Sequence, residues 1–128
     1  MAMKKINRMD PLIPVYIREM IEAIERILRY TDGLTFEDMM RNEILCDAIQ
    51  HQFEILGEAS THLPFAVRKK FPHLPFELMY SLRNHIAHEY FDADYEIIWH
   101  IIQVDLPNNL RDLQEMLRSP IVAAAAGG

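Results

Sequence analysis

Ser81-Leu82-Arg83-Asn84-His85-Ile86-Ala87-His88-Glu89-Tyr90-Phe91 sets a guanidinium, an amide, two imidazoles and a phenol close together in the second half of the chain. At about 100° per residue, Met79, Leu82 and Ile86 fall on one side of a helix and Asn84 and His88 fall nearly opposite. The stretch therefore reads as an amphipathic helix with one core face and one chemical face. Asn84 and His88 are neighbours on the polar face, being one turn apart. Arg83 and His88 are separated by roughly 140° on an ideal helix. Either the helix loosens after Ala87, or a second copy of the segment supplies the other half of a site.

Beyond this stretch a fifth helix is expected from about Asp94, carrying Ile97, Ile98, Trp99, Ile101, Ile102 and Leu106. Pro107 must kink or end it, because proline lacks an N–H and crowds the preceding turn. Helix then resumes from Asn108 to Arg118 through Leu110, Leu113 and Leu117. Before the stretch, Pro64, Pro72 and Pro75 cut the chain into short pieces. Between them, Phe65 to Phe71 can form about two turns bearing the basic run Arg68-Lys69-Lys70. Further back, Thr35 and Asp38 have the spacing of a capping box, which opens a long second helix running to about His62. Its expected core residues are Phe36, Met40, Ile44, Ala48, Ile55 and Leu56. The first helix is expected from an Asp10 N-cap with Pro11 at its first position, through Ile13, Ile17, Met20, Ile21, Ile24, Ile27 and Leu28 to about Tyr30. Thr31-Asp32-Gly33 ends it.

With no strand-like alternation, internal repeat or Gly-rich phosphate loop, the expected class is all-α. The expected architecture is an up-and-down bundle of about five helices with a kinked C-terminal helix. Residues 10–119 form the domain, 1–9 a flexible N-terminal arm and 120–128 a flexible C-terminal tail. A chain of 128 residues can bury one core of its own. No apolar run approaches the roughly 20 residues of a membrane span, and the basic start lacks the apolar stretch of a secretory signal. The single cysteine, Cys46, excludes an internal disulfide framework and fits a reducing cytoplasm. The formal net charge of −6 argues against bulk electrostatic coating of nucleic acid, so any such contact must be local.

Three chemistries suit the central stretch. In a structural role, Arg83 pairs with a carboxylate, the two histidines cap or pack, and Tyr90 is buried with its hydroxyl bonded. In a metal role, His85 and His88 are ligands helped by Glu89, Asp92 or Asp94, although helical zinc pairs more often stand four apart. In phosphodiester cleavage, His88 moves protons near neutral pH. Arg83 grips phosphate oxygens through its planar fork, and Asn84 orients His88 or bonds the phosphate. A single imidazole then serves two proton transfers, and a dimer would supply a second. His51, His62, His73 and His100 take surface or core placement by default.

Arg83-Asn84-His85-Ile86-Ala87-His88-Glu89-Tyr90 resembles the Arg-x4-His-x-Tyr signature of HEPN-domain proteins, in particular HepT-like toxins paired with MntA-like minimal nucleotidyltransferase antitoxins. The likeness extends to Tyr30-Thr31-Asp32-Gly33-Leu34, to Glu54-Ile55-Leu56-Gly57-Glu58-Ala59, and to Tyr90-Phe91-Asp92-Ala93-Asp94 leading to Ile98-Trp99. It implies a homodimer with two motifs facing across a cleft, and a metal-independent endoribonuclease, without cofactor, acting on tRNA or mRNA. Arg83, His88 and Asn84 would be catalytic, while Arg68, Lys69, Lys70 and His85 are candidate RNA contacts. Tyr90 matches the tyrosine that the antitoxin AMPylates in a type VII toxin–antitoxin module. Glu89 stands where a small residue is expected. With the acidic composition, it favours the alternative of a non-catalytic nucleotide- or partner-binding module.

Overall fold

The computed structural model describes residues 10–127, apart from residues 88–94 and the side chains of residues 83–87 and 124–127. Its helices are α1 (Ile13–Thr31), α2 (Phe36–Met40), α3 (Glu43–Thr61), α4 (Phe65–Arg68), α5 (Phe76–Ala87) and α6 (Tyr95–His100). A π-helical turn (Ile101–Asp105) then leads into α7 (Leu106–Arg118), which is followed by α8 (Pro120–Gly127). No strand occurs among the described residues, and the all-α bundle is as expected. No helix among them is long and apolar enough to cross a membrane.

The α1 stripe read from the sequence is the core: Ile13, Ile17, Met20, Ile21, Ile24 and Ile27 are buried, with Ala23 beside them and Leu28 packed at the margin. Burying each of the larger side chains contributes about 1.5–3 kcal/mol. Tyr16 near the start of α1 stacks on His62, just past the end of α3, with ring centroids 4.8 Å apart. Arg26, further along α1, reaches Gln52, further back in α3, at 3.5 Å. Contacts that advance along one helix as they retreat along the other define an antiparallel pair, as the short connection implies. α1 also packs against α7 and α8, and α3 packs on its other side against α5.

The helix boundaries differ from the expected ones in five places. Asp10 caps a lead-in turn rather than the helix itself: its Oδ1 accepts from the Leu12 N–H at 2.8 Å and its carbonyl from Ile13 at 2.9 Å. α1 starts at Ile13, with Pro14 in its first turn. The long second helix is two helices. The Thr35–Asp38 capping box is present, but the chain turns extended at Asn42, whose side chain accepts from the Leu45 N–H at 3.0 Å and caps α3 afresh. The Cys46 thiol bridges the turn to the Met39 carbonyl at 3.3 Å. This break resets the helical phase. Ile44, expected in the core, is 82 % exposed, and Met40 is exposed as well. Met39, Cys46, Ile49 and Phe53 are buried in their place.

The third difference lies at Phe65 to Phe71, where one α-helical turn, α4, is followed by tight turns to Leu74. The fourth is the form of the kink at Pro107. The Leu106 N–H bonds the Ile101 carbonyl, five residues back, so the helix widens to a π turn just before a residue that has no N–H to give. Last, the stretch expected as a tail is helical over Pro120–Gly127. Ser119 is extended, its Oγ accepts from the Val122 N–H at 3.4 Å, and Pro120 follows it as a favourable first residue. Alanine then propagates the turn at the lowest cost of any residue, and Val122 is fully buried.

Asn42→Ala is expected to lower stability by about 1 kcal/mol, read as a lower urea midpoint at unchanged slope. The Asp38 carboxylate accepts from the Thr35 N–H at 2.9 Å and from the Arg41 guanidinium at 3.0 Å, while the Asp38 backbone N–H donates to the Thr35 hydroxyl oxygen at 3.1 Å. The Thr35 backbone and side chain, then Arg41, hold its carboxyl below the usual carboxylate value. Its contribution is therefore present above the unfolded value and lost as pH falls through the lowered one. The stability difference between the native chain and Asp38→Asn should be largest at neutral pH and close on acidification, as measured by urea titrations across that range.

Candidate functional site

α5 is where the central stretch meets the fold. Phe76, Met79 and Leu82 are buried at helical spacing and hold α5 on α3, as the wheel requires of Met79 and Leu82. Leu74 and Phe71, both buried, anchor the turn that leads into α5, and the Phe76 N–H bonds the Leu74 carbonyl at 3.0 Å. Glu77 in the first turn suits the positive end of the helix dipole. Arg83, Asn84 and His85 lie at helical positions toward the far end of α5. His88, Glu89, Tyr90, Asp92 and Asp94 lie outside the described residues.

The basic run is fully described, and its members differ. Arg68 is half-buried: its Nε donates to the Leu63 carbonyl at 3.1 Å, and its guanidinium carbon lies 5.8 Å from the centroid of the Phe65 ring. It is thus a structural tie as well as a charge. Lys69 and Lys70 are exposed.

Sequence reasoning missed the surface that joins this run to α5. Two adjoining clefts of about 280 and 290 Å³ share a wall made of Arg68, Phe76 and Glu77. One opens past Phe65, Lys69, Leu74 and Pro75; the other past Ser60, Thr61 and Tyr80. The signal for it in the sequence was Tyr80, which falls off the Met79–Leu82 face of its helix; it and Phe65 are both exposed. Among the histidines without an assigned role, His62 stacks on Tyr16 and lies 3.7 Å from Glu58, while His51, His73 and His100 are exposed.

A family model described as ribonuclease HepT-like matches residues 20–118, the span of helices from within α1 to the end of α7. The bundle and motif thus define a HEPN-type helical domain, and the chain belongs to the ribonuclease HepT-like family. It is 32% identical over 103 residues to "Probable ribonuclease HepT" of Thermococcus cleftensis, covering 80% of this chain and 93% of that protein. A protein of Caldanaerobacter subterraneus subsp. tengcongensis named "Putative RNase" is 30% identical over 103 residues, covering 80% of this chain and 92% of its own. A similarly named protein of Methanocaldococcus jannaschii is 28% identical over 106 residues, covering 83% and 88%. No solved structure shows a significant match.

Arg68→Ala should cost about 1–2 kcal/mol through the lost charged donor to Leu63. Lys69→Ala should stay within about 0.5 kcal/mol. Thermal unfolding of the two variants side by side measures this difference.

Proposed function

We propose that this chain is a metal-independent endoribonuclease and the toxin of a type VII toxin–antitoxin module. Membership of the ribonuclease HepT-like family over a span that includes the whole Arg83–Tyr90 motif carries this reading. In it, the ribose 2′-hydroxyl attacks the adjacent phosphorus, the P–O5′ bond breaks, and a 2′,3′-cyclic phosphate and a 5′-hydroxyl form. His88 takes the 2′ proton or supplies one to the departing 5′ oxygen. Arg83 stabilises charge on the phosphate, and Asn84 assists. Arg68, Lys69, Lys70 and His85 contact RNA, either tRNA or mRNA. A homodimer provides a second His88 for the other proton transfer, and exposed Leu78 on α5 leaves that side of the helix available for approach. In regulation by a MntA-like nucleotidyltransferase, the Tyr90 hydroxyl attacks the α-phosphorus of ATP and pyrophosphate leaves. The AMP so added competes with RNA phosphate for Arg83. The compartment is the cytoplasm, in keeping with a buried, unpaired Cys46.

A second reading, a non-catalytic nucleotide- or partner-binding module, draws support from the net charge of −6 and from Glu89, whose carboxylate repels RNA phosphate. The two separate on activity. Unmodified protein, its mass confirming a bare Tyr90, should cleave RNA in excess EDTA and leave 2′,3′-cyclic phosphate ends. His88→Ala should lose about 10²–10⁴-fold in rate with an unchanged circular-dichroism spectrum. A fully active His88→Ala protein would overturn the assignment, and inert native protein would favour the binding module.

A further inference from the structure

We infer that the paired clefts between α4 and the start of α5 are a subsite for two unpaired nucleotides of the RNA, with Phe65 and Tyr80 as stacking surfaces. The inference rests on the ribonuclease reading and adds to it where the substrate lies. Phe65 is 68% exposed and Tyr80 43% exposed, and the two rings line neighbouring clefts divided by Arg68, Phe76 and Glu77. Each cleft is slightly smaller than the roughly 300–1,000 Å³ of a drug-sized pocket, which suits a single base.

Charge selects the same occupant. Arg68 lies over the Phe65 ring and Lys69 lines the same cleft, so cation and aromatic face are presented together, the combination that single-stranded nucleic acid uses for backbone and base. Lys70 adjoins them on the exposed turn. Glu77 is the acidic member of both walls. A carboxylate there rejects phosphate but accepts hydrogen bonds, so the clefts hold base edges that donate, with phosphates kept to the Arg68–Lys69 side. A duplex does not fit this arrangement, because its bases are stacked on one another and its edges are paired.

Position along α5 ties the subsite to the reaction. Residues 80 and 84 are one helical turn apart, about 6 Å along the axis, so a strand seated at Tyr80 continues directly toward the Arg83–Asn84 end of the helix. The subsite thereby positions single-stranded RNA for cleavage and favours loops and ends over helical stems.

The test uses the native chain and a 2′-O-methyl RNA hexamer carrying one 2-aminopurine. This probe lacks the free 2′-hydroxyl and reports stacking by loss of fluorescence. Binding should quench the probe. Phe65→Ser and Tyr80→Leu, each with an unchanged circular-dichroism spectrum, should each weaken binding by about 5- to 150-fold and reduce the quench, as expected for losing one base–aromatic stack. The corresponding blunt duplex should bind more weakly than the single strand. Equal affinity of both variants and the native chain, with RNA cleavage retained, would overturn the subsite, leave the ribonuclease reading in place and point to a protein partner for these clefts. Absence of both RNA binding and RNA cleavage by the native chain would overturn the two together.

Discussion

Everything in this fold is located by the burial of α1. Ile17, Met20, Ala23, Ile24 and Ile27 are fully excluded from solvent because α3, α7 and α8 cover the helix from more than one side. A helix covered by a single neighbour shows a narrow apolar stripe; one wedged among several shows a wide one. The stripe of α1 is wide, since Ile13, Ile21 and Ala23 flank its central line. With α1 fixed, α3 has one face committed to it and the other to α5, and the position of α5 follows. Among the described residues, the motif helix is thus tied to the central helix through α3.

That arrangement demands that α3 be stiff and fully satisfied, because it transmits position to the site. Its buried polar groups are all accounted for: Gln52 accepts from Arg26 of α1 at 3.5 Å, and the Ser60 hydroxyl donates to the Gly57 carbonyl at 2.7 Å. Among the described residues no buried side-chain nitrogen or oxygen lacks a partner. Unsatisfied groups in such a helix would each cost about 1–3 kcal/mol and loosen the seat of α5. Gly57, whose carbonyl takes the Ser60 hydroxyl, is itself buried.

What could be read from the sequence was governed by periodicity. The stripe of α1 and the Met79–Leu82 face of α5 repeat at helical spacing, so their burial was legible. The split between α2 and α3 was not, because the residues on both sides of it are good helix formers. The only mark of it is Asn42, whose side-chain oxygen accepts from the Leu45 N–H; asparagine favours such caps but is also tolerated within helices. Ile44 shows the consequence: a continuous phase places it inside, the reset phase outside. Likewise the Pro107 kink was legible as a necessity, whereas its π-helical form depends on how the Ile101 carbonyl is shared with Leu106. Of the candidate site, the residue types of the central stretch and the basic run were visible at once. The clefts beside them were not, since they arise from bringing α4 against the first turn of α5, a juxtaposition made by Phe71, Leu74 and Phe76 turning into the core.

The acidic charge of the chain and a role on RNA are compatible for a physical reason visible in this geometry. Non-specific affinity for nucleic acid grows with the number of phosphates neutralised, and an acidic surface holds that number down everywhere except where cations are concentrated. Here the described cations near α5 are Arg68, Lys69 and Lys70, and one of them is tied to the Leu63 carbonyl. In the proposed reading such a site gains little from backbone charge and draws its binding from base stacking and base-edge contacts, which are short-ranged and need unpaired nucleotides. On that reading low charge acts as a filter: long duplex RNA offers many phosphates and few accessible bases, and it gains least from such a surface. The exposed rings of Phe65 and Tyr80 at the clefts are, in that reading, the counterpart of that economy of charge.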